Sequence, residues 1–170
     1  MTESGGASSY DREKHFAAVG KIASNWSLLE VQVDLLALRL ADIRFDLGAC
    51  FTAQVSGMSR KFNAYMAVTV SAGSNRYSRR LNRLAENLRR LAERRNRIIH
   101  DPWDFSSYGP HRFEMTANKK LRLDHVFSST EEVELLLADI DVARVEFLEL
   151  DDLISEELAS SPEKLLGSSP

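Results

Sequence analysis

A single cysteine, Cys50, excludes an internal disulfide; with few histidines nearby it makes no metal site, which leaves core packing as its expected role. Long apolar runs are missing too. No stretch approaches the roughly 20 apolar residues that a membrane span requires, so no membrane crossing is expected. The opening segment, Met1 to Ser9, is small and polar without the basic-then-apolar order of a secretory signal, and a cytoplasmic address is the expectation. Internal repeats are absent. What is present is 44% hydrophobic and 28% charged residues over 170 positions, an ordinary globular composition with enough chain to bury one core. One domain is expected.

Charge is not evenly spread. The formal net charge is −3, yet Arg76 to Arg97 holds nine arginines against Glu86 and Glu93, a local balance of +7. From Glu131 to Glu157 eleven acids against Arg144 give −10. These segments can be solvated faces that neutralise each other, or part of the arginine face can stay available to phosphates.

The helical periodicity is strong. Ile22, Trp26, Leu29, Val33, Leu36, Leu40 and Ile43 recur at three- and four-residue steps and predict one long helix between Tyr10 and Leu47. A second helical stretch is expected from about Cys50 to Ala72, with a break at Ser56-Gly57 and with Phe62, Tyr65, Met66 and Thr69 buried. Leu81, Leu84, Leu88 and Leu91 predict a third helix from about Tyr77 to His100, where Pro102 forbids continuation. Beyond it Phe113, Met115 and Ala117 alternate, Asn118-Lys119 is a turn pair, and Leu121 and Leu123 alternate again: a β-hairpin over about 112–125. Ser129 to Glu132 reads as a capping box, with Glu132 reaching back, ahead of a last helix lined by Val133, Leu136, Leu137, Ile140, Phe147 and Ile154. The expected fold is mainly all-α: an up-and-down bundle over 10–159 with a small hairpin insertion before the last helix. The Ser-, Gly- and Pro-rich segments 1–9 and 160–170 are expected to be disordered tails.

The segment with a distinctive chemistry is Arg95-Asn96-Arg97-Ile98-Ile99-His100. The stripe through 77, 81, 84, 88 and 91 reaches 95, so its next member is a guanidinium. A charge on the apolar side needs acceptors. Arg95 can pair with a carboxylate inside the bundle, or it can serve a site. Asn96 and His100 lie four apart on one helical face, and Asp101-Pro102 stops the helix there. Histidine exchanges a proton near neutrality and arginine forks onto phosphate. Glu30, with Ala23, Trp26, Val33 and Ala37 as helical neighbours, intrudes on an apolar side; it is a surface carboxylate or the partner of Arg95. Trp103 is a core or interface anchor or a base-stacking platform. His15, His111 and His125 stand alone, without acidic or cysteine partners at ligand spacing, and are read as incidental. No acidic or Cys/His ligand set surrounds the motif, so neither metal nor cofactor is expected.

This hexapeptide resembles the signature of HEPN domains, an all-helical superfamily in which Arg, often followed by Asn or Asp, precedes His by a short spacer. Asp101-Pro102-Trp103, the stretch Gly20 to Glu30 and Thr52-Ala53-Gln54 resemble a bacterial branch of it, so the likeness spans most of the chain. It implies a homodimer that cleaves RNA without metal at a composite site. Arg95, Asn96 and His100 would be catalytic, Glu30, Asp101 and Trp103 supporting, and Arg90, Arg94 and Arg97 RNA-binding. It also fits the toxin of a defence or toxin–antitoxin pair, restrained by an antitoxin or regulatory protein. The alternative is a non-catalytic dimeric HEPN interaction module.

Overall fold

The computed structural model describes residues 7–106, 109–118 and 120–160. Five helices, α1 Ala7–Leu40, α2 Phe45–Thr52, α3 Met58–Ser71, α4 Ser78–His100 and α5 Thr130–Ala159, carry most of it. The strands β1 Trp103–Ser106, β2 Gly109–Asn118 and β3 Lys120–Phe127 stand between α4 and α5. The fold is mainly helical with a β insertion before the last helix, as expected. The insertion is larger than a hairpin: β1 adds to β2 and makes a three-stranded antiparallel sheet in the order β1-β2-β3. Within the described residues, no helix is long and apolar enough to cross a membrane. Of the two expected tails, residues 1–6 and 161–170 lie outside the described residues, while α1 already includes Ala7 to Ser9.

The single helix expected from Tyr10 to Leu47 is instead α1 and α2, and the backbone shows why. Asp42 takes a left-handed φ of 54°, which Asp tolerates better than most residues. Its N–H bonds Arg39 O at 3.1 Å and the Ile43 N–H bonds Leu38 O at 3.0 Å, the paired closure of a Schellman turn. Ile43, read as part of the apolar stripe, therefore sits past the helix end and is exposed. Gly73, at φ 96°, closes α3 in the same way, with Ser74 N–H on Thr69 O. Gly57, at φ 88°, precedes α3 and makes the expected break. Cys50 is exposed on α2 rather than packed in the core.

The chain divides into two compact units, Met1–Trp26 with Leu91–Asp141 and Ser27–Arg90 with Val142–Pro170. In the second, Phe62, Tyr65 and Phe147 meet with ring centroids 5.0 to 5.8 Å apart, all fully buried. Such pairs contribute about 0.5–1.5 kcal/mol each beyond the area they bury. Beside them the buried carboxylate of Asp151 accepts the Tyr65 hydroxyl at 3.0 Å and a bond from Arg39. Burial first, and then the Asp151 charge, push the Tyr65 hydroxyl far above its ordinary value, so it remains a donor. Gly48 of α2 is buried in the same unit, where an added Cβ would collide with Leu38.

In the first unit, His15, Ala18, Ile22, Leu91, Ile98, Val133, Leu136 and Ile140 are buried. Ser129 caps α5 by accepting the Glu132 N–H at 3.2 Å. The returning carboxylate is that of Glu131, not Glu132: its own backbone N–H and then the Ser129 hydroxyl hold it below the usual range.

Candidate functional site

The first unit carries the motif. α4 brings Leu81, Leu84, Leu88, Leu91 and Ile98 to one buried stripe and stops at His100, because Pro102 lacks the N–H that another turn would use. One carbonyl left over at that end, Ile98 O, receives the Trp103 indole N–H at 2.9 Å. Arg95 is half-buried in the stripe; its Nε is enclosed without a partner, and Nη1 donates to Asn96 Oδ1 at 3.1 Å. The guanidinium is thus aimed by its own neighbour. Asn96 and His100 are exposed. Glu30, half-buried on α1, belongs to the other unit.

Asp101 begins a charged cluster that ties the motif to the sheet. Arg112 of β2, only 9% exposed, donates to Asp101 Oδ2 at 3.0 Å and stands 3.0 Å from Glu114 Oε1. Its guanidinium carbon lies 5.9 Å from the centre of the Trp103 ring. Arg97 approaches Asp101 more loosely, at 3.9 Å. Strand register explains the gathering: Trp103 pairs with Arg112, and Glu114, two residues on, points to the same face. Reading β2 through Phe113, Met115 and Ala117 drew attention to the opposite face and missed Arg112 and Glu114.

His15, read as incidental, is fully buried. Its ring centroid is 4.3 Å from Trp103 and 5.4 Å from Phe105, and Nδ1 bonds the Thr130 hydroxyl at 3.1 Å. Extending the α1 stripe back from Ile22 through Ala18 would have found it. Burial pushes the imidazole below its ordinary 6.5. The folded chain then binds this proton less well than the unfolded chain, so stability is full above that value and falls as pH drops below it. Urea unfolding between about pH 7.5 and about pH 5 should show this loss, and His15→Phe should flatten the slope. Equal slopes would mean that His15 is not held neutral.

A cavity of about 670 Å³ opens beside the motif, lined by Arg94, Asn96 and Arg97 of α4, Arg112 and Glu114 of β2, and Glu132 and Leu136 of α5 among others. Arg94 pairs with Asp139 of α5 at 2.7 Å, where the basic and acidic helices meet within this unit. Arg90 lies in the other unit and stands 3.8 Å from Glu86. Of the three arginines read as RNA-binding, the cavity gathers two. His111 bonds Gly109 O and His125 packs on Phe113. Among the described residues no group of three His, Cys, Asp or Glu side chains is placed to hold a metal ion.

No family model, curated protein or solved structure matches the chain.

Proposed function

We propose that the chain is a metal-independent endoribonuclease of HEPN type, acting as a homodimer with a composite site. The observation that carries this reading is the end of α4, where Asn96 holds the Arg95 guanidinium while the His100 imidazole is exposed about one turn on. In the reaction, the ribose 2′-oxygen attacks phosphorus and the bond to the 5′-oxygen breaks. His100 takes the 2′-hydroxyl proton or delivers one to the leaving oxygen, and two copies of the motif would divide these tasks. Arg95 would stabilise the charge that builds on the phosphoryl oxygens, and Arg94 and Arg97 would hold the strand. Asp101 and Trp103 support the site through the bonds described.

The enclosed Nε of Arg95 favours a second reading, in which Arg95, Asn96 and His100 form a structural network in a non-catalytic dimeric interaction module. Purified protein incubated with total RNA in EDTA separates the two. Cleavage is expected to persist in chelator and to leave a 2′,3′-cyclic phosphate and a 5′-hydroxyl, read by mapping the new ends. Activity lost to chelation and restored by a metal ion would overturn the proposed mechanism, and intact RNA would leave the module. Light scattering is expected to return twice the monomer mass; exposed Leu28, Val31 and Leu35, at helical spacing on α1, offer apolar surface for such an assembly.

A further inference from the structure

The cavity beside Asn96 holds charged groups that differ in how far they are committed. Arg112 is taken up by Asp101 and Glu114, and Arg94 by Asp139. Arg97 has only the long 3.9 Å approach to Asp101. The Glu132 carboxylate takes no hydrogen bond or ion pair among the described residues, although its backbone N–H is fixed by Ser129. Arg97 and Glu132 are therefore the least committed of these charges, in a space lined also by Asn96, Ile98, Leu135 and Leu136. The buried Arg112 beneath them gives the cavity a fixed wall, and its Nε is enclosed without a partner.

We infer that this cavity is a guanine pocket, reading the base beside the scissile phosphate; the inference rests on the proposed RNA cleavage for its biological setting but not for its test. A flat heteroaromatic ring suits the apolar part of this lining, and about 670 Å³ is within the range of cavities that enclose a small organic ligand. Two edges then decide the base. An arginine fork matches the O6 and N7 acceptors of guanine, and a carboxylate matches donors on the base. Guanine offers both an acceptor pair and, at N1 and the 2-amino group, a donor pair. Adenine replaces O6 by a donor that would face Arg97, and it lacks the 2-amino group. Uracil and cytosine lack N7. Arg97 and Glu132 are thereby specificity residues, and Asn96 joins the pocket to the motif.

Calorimetric titration of the whole chain with the 5′-monophosphates of guanosine, inosine, adenosine, cytidine and uridine tests this without requiring cleavage. Guanosine monophosphate is expected to bind at least about tenfold more tightly than adenosine monophosphate, the discrimination of one bidentate contact. Inosine monophosphate, lacking the 2-amino group, should fall between them. Glu132→Gln should remove the preference of guanosine over inosine, and Arg97→Ala should weaken both; Glu132 is exposed, and a thermal melt verifies that each variant is folded. Equal binding of all five, binding of none, or a guanosine preference unchanged in folded Glu132→Gln overturns the pocket. Selective binding with no RNA cleavage by the wild-type chain upholds the pocket and removes the ribonuclease reading. Cleavage beside every base without selective binding does the reverse.

Discussion

His100→Ala is expected to lower RNA cleavage by about 10²–10⁴-fold, the range that a positioned acid or base contributes. The imidazole is exposed at the last residue of α4, so its removal opens no core cavity and the melting temperature should hardly change. The loss would then be chemical. Arg95→Ala should cost about 10²–10³-fold through lost stabilisation of the phosphoryl charge. It removes a half-buried side chain as well, so its melting curve must be measured beside its rate. Initial rates in EDTA on one defined RNA provide the measurement. If the chain acts as a toxin, overexpression should arrest growth with wild-type protein and not with His100→Ala. Full cleavage by folded His100→Ala would leave the motif as structure and return the chain to the interaction-module reading.

Asp151→Ala is expected to destabilise the second unit by about 2–4 kcal/mol, because it strands a buried hydroxyl and leaves the Arg39 guanidinium with only the Ser155 hydroxyl as acceptor. Tyr65 is fully buried and its hydroxyl donates to Asp151 at 3.0 Å. The Arg39 side chain is 51% exposed and can turn to water, which keeps the figure below that of a wholly buried ion pair. Tyr65→Phe alone should cost about 1 kcal/mol, since Asp151 keeps Arg39. The two changes together should cost less than their sum. Urea midpoints at constant slope read all four proteins of the cycle. Strict additivity would show that the Tyr65–Asp151 bond adds nothing.

Legibility in the sequence followed periodicity. α4 was plain because its leucines recur without interruption and a proline marks its end, and α5 because a capping serine precedes its first apolar residue. The end of α1 was hidden, since an aspartate in the left-handed region closes a helix without the glycine that usually signals it. β1 was hidden as well: four residues, Trp103 to Ser106, become a strand only by pairing with β2. At the site, Arg95, Asn96 and His100 could be picked out because a charge broke an apolar stripe. Arg112 could not, because an arginine on an alternating strand reads as solvent-facing until register sets it opposite Trp103. Glu132 was legible as a helix-start residue, but the free carboxylate depended on Glu131 taking up Ser129 in its place.

The two-stretch make-up of each compact unit constrains how the chain can be cut. The boundaries after Trp26, Arg90 and Asp141 fall inside α1, α4 and α5, so the unit bearing Arg95 and His100 is built from two stretches with residues 27–90 between them. A truncation anywhere before α5 removes residues from both units at once. Any fragment that carries both stretches of the unit bearing the motif must also carry residues 27–90.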